Sequence, residues 1–261
     1  MSISAENLPC LSLQDWLTTP QGRYVLRWEQ ERIKQAVDDV FGFNALQLGM
    51  PQCDFLQGNR IAVQARIGDA LPVEVLCDLR QLPFAANSID LIVLPHVLEF
   101  HADPHQILRE VERVLIAEGQ LVIVGFNPLS LWGACRRLRS AGGQGHVFPW
   151  NGRYLSVLRL RDWLALLGFE VNRGNFGCYA PPFSQEKWLQ RSAFLELAGD
   201  RWWGFAGGVY MIRAVKRVLG MRLLQPKWRD RLVARQVLSP ITRGVLNPPT
   251  SQRNRKPPHE Q

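Results

Sequence analysis

The sequence predicts an α/β sandwich, with helices on both faces of a mostly parallel sheet, and three observations predict it. Leu91-Ile92-Val93-Leu94 and Leu121-Val122-Ile123-Val124 are continuous apolar runs, the pattern of strands buried on both faces. Between them Asp103 and Pro104 stand as cap and first residue of a helix, and Ile107, Leu108, Val111, Val114 and Leu115 follow at helical spacing until Gly119. Strand and helix patterns then keep alternating, as they do where helices cross between strands of one sheet.

In chain order, Thr19 and Pro20 form a cap and first-turn pair. Val25, Leu26, Ile33, Val37, Val40 and Phe41 recur behind them at helical spacing, giving a long leading helix that ends at Gly42. Phe43 to Gly49 is a short first strand. Ile61 to Arg66 and Val73 to Cys77 are two further strand candidates. The six residues between them are too few for a parallel crossover, which takes about a dozen, so an antiparallel hairpin is expected, unless one segment is not a strand. After the central unit come a helix from Arg159 to Leu167, a strand opening at Phe169 to Val171, a helix from Gln185 to Leu197, and a last strand from Val209 to Val215. This divides the chain into a helical extension (1–42), an α/β domain (43–218) and a tail (219–261). Disorder is expected from Ser239 on, where prolines sit among polar and basic residues.

A chain of 261 residues that is 46% hydrophobic can bury one full core. Its net charge of +8 is uneven: residues 213–261 hold twelve Lys/Arg against Asp230 and Glu260, a net +10, leaving −2 for residues 1–212. Such a basic arm is expected to attract nucleic acid, anionic lipid or an acidic partner, or else only to aid solubility. The five cysteines are scattered and odd in number, with no CxxC spacing, which argues against a disulfide framework and a zinc site and fits a reducing cytoplasm. Glu6 and Pro9 stand where a signal peptide would be basic and then apolar, and no run approaches the ~18 apolar residues of a membrane span.

Val75-Leu76-Cys77-Asp78-Leu79-Arg80-Gln81-Leu82-Pro83-Phe84, followed by Asn87-Ser88-Ile89-Asp90-Leu91-Ile92-Val93, resembles the type-11 branch of the class I S-adenosylmethionine-dependent methyltransferases. The likeness continues through Val97-Leu98, Asp103-Pro104, Leu108-Arg109-Glu110, Arg113-Val114-Leu115, Glu118-Gly119 and Leu121-Val122-Ile123. It implies a three-layer, Rossmann-like methyltransferase sheet of seven strands with the last antiparallel, and S-adenosylmethionine lying across the carboxyl ends of the strands. By the resemblance Asp78 would accept a hydrogen bond from the adenine amino group, with the Leu79 amide facing the ring; the bland reading of Asp78 is a turn cap.

The chain departs from the family pattern at two places. Where the family carries an acidic residue and three glycines after its first strand, Gln47, Gly49, Pro51 and Cys53 stand here, so one glycine of the signature remains. Proline removes a donor and fixes φ, and glutamine lacks the charge that faces the ligand's ammonium. Gln47 and Gly49 are still the positions expected at the methionine end of the cofactor. The second-strand region is also shortened, with 28 residues between Gly49 and Asp78, and Asp69 is the nearest counterpart of the family's ribose-binding acid.

Pro95-His96 is expected at the carboxyl end of the fourth strand beside the cofactor. His96 would orient the acceptor or act as a base near neutral pH, or else be a half-buried structural histidine. His96, Glu99, His101, Asp103 and His105 lie close in sequence, but their spacing matches no zinc signature. Phe126-Asn127-Pro128 superficially resembles the Asn-Pro-Pro-aromatic signature of amino-methylating nucleic-acid enzymes, yet it follows the fifth strand, and Leu129 and Ser130 replace its last two members. Asn127 is thus a turn residue or an acceptor contact. Trp202, Trp203, Phe205 and Tyr210 are core, or an apolar wall over the site, or a membrane contact.

Methyl transfer needs mainly in-line alignment, so no catalytic triad is expected. The sequence reading is a cytoplasmic S-adenosylmethionine-dependent methyltransferase whose acceptor no residue names. One rival is a non-catalytic member of the fold, a binding or regulatory module working through its basic tail. The other is a nucleic-acid methyltransferase that uses the tail for backbone attraction.

Overall fold

The structure, a computed structural model, describes residues 13–142, 149, 151–182, 187, 196, 199, 201 and 203–218, all within one compact unit that ends at Val218. Its strands are β1 (Asn44–Leu48), β2 (Val63–Gly68), β3 (Val75–Leu76), β4 (Ile89–Pro95), β5 (Leu115–Phe126), β6 (Phe169–Gly177) and β7 (Val209–Lys216). They form one sheet in the order β3-β2-β1-β4-β5-β7-β6. Every pairing is parallel except those of β7, which runs antiparallel to both β5 and β6. Strand order therefore reverses between β1 and β4, the switch at which such sheets open a crevice beyond their carboxyl ends.

The helices are α1 (Leu13–Thr18), α2 (Pro20–Val37), α3 (Val97–Phe100), α4 (Pro104–Val114), α5 (Leu131–Ala141) and α6 (Val157–Leu166). One face of the sheet packs Val25 and Ile33 of α2, Trp132 of α5 and the apolar residues Phe55, Leu56 and Ile61 that follow β1. The other packs Ile107, Leu108 and Val111 of α4 and Leu160 and Leu164 of α6. Three layers result. Among the described residues no helix is long and apolar enough to cross a membrane.

Local chemistry accounts for the helix starts. Thr19 accepts from the Gly22 amide with Pro20 in the first turn, Asp103 from Gln106 with Pro104 in the first turn, and Ser156 from Arg159. Two helices end earlier than their apolar spacing predicts. α2 stops at Val37 rather than Gly42, because Asn59 reaches across to the Val37 and Val40 carbonyls. α4 stops at Val114, where Leu115 turns extended, and the path to Gly119 passes Glu118 at φ +64° as an irregular start of β5. α1, α3 and α5 carry no sequence expectation above.

The hairpin expected between the second and third strands is corrected: β3 pairs parallel to β2, Ile67 with Val75 and Gly68 with Leu76. The dozen-residue requirement applies to a chain that must return along a whole strand. Here β3 is two residues long and pairs only with the end of β2, so a tight reversal suffices. Glu74 braces that reversal by accepting from the Arg66 amide and pairing with the Arg66 guanidinium. From β1 to β2 the chain crosses over through turns, with no helix between residues 49 and 62.

The shared loop residues have a physical reason. Arg113 donates to the carbonyls of Leu82 and Phe84, both at 2.9 Å, while Glu110 accepts from the Leu82 amide and pairs with Arg113. The Leu82-Pro83-Phe84 turn is thereby locked onto α4. The Gln185–Leu197 helix falls for the most part outside the described residues, as do Trp202 and the basic tail from residue 219.

Lys216, buried at the end of β7, donates to Asn87, to the carbonyls of Glu112 and Leu115 at the end of α4, and pairs with Glu112. Lys216→Met would leave those carbonyls without a donor, so urea unfolding is expected to show a loss of about 1–3 kcal/mol.

Candidate functional site

Two adjoining hollows lie at the carboxyl ends of the strands on the β3-β2-β1-β4 side. One, of about 380 Å³, runs from Gly49 and Met50 after β1 past Gly68 and Asp69 at the end of β2 to Pro95 and His96 at the end of β4. The other, of about 580 Å³, is lined by Asp69, Leu76, Cys77, Asp78, Arg80 and His101. Asp69 and His101 line both, so the two form one trough spanning the switch point.

The loop after β1 is shaped by its backbone. Gly49 has φ +81°, and a Cβ there would sit 2.6 Å from Val97 Cγ2, so no larger residue fits. Met50 is also left-handed, at φ +46°. Gln47 does not line the trough. It is buried beneath the loop, with its amide nitrogen 3.1, 3.0 and 2.8 Å from the carbonyls of Gly49, Met50 and Cys53 and its oxygen accepting from the Phe55 amide. An acidic residue here would turn an acceptor toward three carbonyls. The glutamine is what this loop conformation requires.

At the other end of the trough Asp78 is exposed and held by Arg80, whose guanidinium and amide both donate to it and lower its pKa to about 2. Leu79 turns its side chain into the core beneath α4. Asp69, directly after the last residue of β2, occupies the strand end at which the ribose-binding acid is expected.

His96 stands at φ +54° between β4 and α3 and is buried. Its Nε2 is 2.6 Å from Glu29 of α2, and its Nδ1 is 2.7 Å from Glu99 of α3. The other Glu99 oxygen accepts from the Phe126 amide at the end of β5, and the Phe126 ring lies 4.3 Å from the imidazole. Burial opposes charge on the ring, but the two carboxylates outweigh it and raise the His96 pKa to about 10. Burial also raises the Glu99 carboxyl, which His96 and the Phe126 amide offset in part. A base near neutral pH is therefore not available at His96: both ring nitrogens donate, and the proton is held far above neutrality.

Asn127 is spent on structure, donating to the Phe205 and Gly207 carbonyls and accepting from the Leu129 amide. Trp203 and Phe205 are exposed and Tyr210 is buried.

Residues 52–123 match the family described as "Methyltransferase domain". The uncharacterised Escherichia coli (strain K12) protein YafS is 35% identical over 158 residues, 60% of this chain and 65% of YafS. Among solved structures, a chain from the complex between the Haloferax volcanii Trm112 methyltransferase activator and a methyltransferase aligns with TM-score 0.56 and 14% identity, over 80% of this chain and 97% of that one. A SAM-dependent methyltransferase of Thermotoga maritima aligns at 0.53 and 19% identity, over 78% and 94%. The strand order and these alignments decide the fold. The fold is that of the class I S-adenosylmethionine-dependent methyltransferases, and within it residues 52–123 match the methyltransferase-domain family.

Within this methyltransferase fold the sequence reading missed Glu29 as a partner of His96, although a signal was present. Val25, Glu29 and Ile33 are spaced by four on one helix face, so a carboxylate sits in an apolar stripe. Arg136, Arg153 and Arg159 also went unread, and the Ser130 cap ahead of Leu131 and Trp132 announces the helix that carries the first of them.

Two outcomes follow for the methyltransferase fold. Gln47→Glu is expected to lower unfolding free energy by about 1–3 kcal/mol in urea, since its loop carbonyls lose their donor. For His96 the folded pKa of about 10 lies above the ordinary 6.5, so its stabilisation is complete below about pH 6.5 and drains away as pH rises toward about 10. The stability deficit of His96→Gln, about 3–5 kcal/mol at neutral pH, is thus expected to narrow over that window.

Proposed function

We propose that the chain is an S-adenosylmethionine-dependent methyltransferase. The observation that carries this is the trough across the switch point, with Gly49 at one end and the carboxylates Asp69 and Asp78 toward the other. When bound, the cofactor supplies an activated methyl group on a sulfonium centre.

The residues present fit that group. Gly49 lines the trough with its bare backbone, so a ligand lying there meets main chain and no side chain at that point. Asp69 would accept from ribose hydroxyls, and Asp78, kept ionised by Arg80, would accept from the adenine amino group. The positive end of the cofactor needs a negative counterpart, and Gln47 does not supply one. Behind the wall formed by His96 stand the carboxyl groups of Glu29 and Glu99, each hydrogen-bonded to its ring. Proton handling is left to the acceptor and water; the chain's part is binding, alignment and exclusion of solvent.

Calorimetric titration of the full chain with S-adenosylmethionine is expected to give a Kd tighter than about 1 mM, a free energy beyond about −4 kcal/mol. No heat up to that concentration would reject the reading. Asp69→Asn and Asp78→Asn are each expected to weaken binding by about tenfold, the worth of one charge-assisted hydrogen bond.

A further inference from the structure

Next to the trough lies a third hollow of about 550 Å³, built from the start of α4, from α5, and from the segment leading into α6. His101 lines all three hollows, so this cleft opens where the cofactor trough ends. Its walls carry three guanidinium groups from separate elements: Arg136 of α5, Arg153 and Arg159. Arg136 is oriented by donating to the Gly152 carbonyl at 2.6 Å and lies over the Tyr154 ring at 5.1 Å. Arg159 lies over the Trp163 ring at 5.9 Å. Asp103 is the one carboxylate in the lining, and it already accepts from Gln106 as the cap of α4. Among the described residues none of the three arginines forms an ion pair.

A second observation points to a ligand. Tyr154 lines the same cleft, and its hydroxyl is buried with no hydrogen-bond partner among the described residues. Buried hydroxyls are ordinarily satisfied by protein, water or ligand. Three guanidinium-bearing side chains in one lining, an excess of two positive charges over Asp103, and the amino end of an eleven-residue helix together make an anion site with planar, forked donors.

Resting on the proposed methyl transfer, we infer that this cleft binds the acid group, a carboxylate or phosphate, of a small-molecule methyl acceptor. The remainder of that molecule extends past His101 toward the methyl-bearing end of the trough. The charge thus selects the acceptor class, and the trough holds the methyl donor.

The test uses the full chain and two probes, inorganic phosphate and succinate, each titrated at constant ionic strength while tryptophan fluorescence is followed. Saturable binding of at least one probe is expected, and the stronger probe tells which acid group the cleft prefers. The doubly substituted Arg153→Glu, Arg159→Glu protein is expected to lose about tenfold or more in that affinity, with S-adenosylmethionine affinity unchanged within about twofold. Both side chains are exposed, so the fold should tolerate the change; should it not, Arg153→Gln alone is expected to lose about threefold. Failure of both probes to bind the parent chain, or equal binding by parent and variant, overturns the inference. Absence of S-adenosylmethionine binding alongside charge-dependent probe binding would overturn the methyltransferase reading instead.

Discussion

Two carboxylates and one imidazole buried together constrain everything around the switch point. Glu29 arrives from α2, His96 from the end of β4 and Glu99 from α3, and the same Glu99 holds the last amide of β5. Withdrawing such ions from water costs several kcal/mol apiece, so the arrangement persists only if each charge meets a partner in good geometry. Apolar packing of Val25, Ile33, Ala36 and Val37 holds α2 on the sheet face and carries Glu29 to His96, whose left-handed backbone sets the ring between the two glutamates. With His96 fixed, Pro95 and Val97 are fixed as well. The wall of the trough and the contact that forbids a side chain at Gly49 follow from it.

The loop after β1 illustrates how one substitution is accommodated by geometry. A glutamine beneath a loop can donate and accept at once, and Gln47 does both, gathering three carbonyls and one amide into a single turn. The loop is therefore organised from below by an uncharged staple. Pro51 removes one amide, yet its carbonyl accepts from Arg66, which also braces the reversal before β3.

The central unit was legible in the sequence because its signals are local. Asp103 caps α4, the apolar runs of β4 and β5 are buried throughout, and the Leu82-Pro83-Phe84 turn keeps its identity through contacts with Glu110 and Arg113 that lie within about thirty residues. Asp78 and Pro95 were legible in the same way, as strand ends. What stayed hidden depends on contacts, near or far, that no residue pattern announces. His96 looks like a free histidine until Glu29, 67 residues earlier, is brought against it. Gln47 looks like a lost acid until the loop folds over it. The parallel β3 was misread because a rule for full-length strands does not bind a strand of two residues.

That brevity has a bearing on solubility. The outermost strands of a sheet present unpaired backbone groups, and long flat ones invite other chains to add to them. β3, outermost on one side, offers two residues and is flanked by the charged Glu74 and Asp78. β6, outermost on the other, is nine residues long, but its register slips between Val171 and Arg173, and Glu170 and Arg173 face solvent along it. One margin is thus too short to template a neighbour, and the other is kinked and charged. Both are blunted against edge-to-edge stacking by different means.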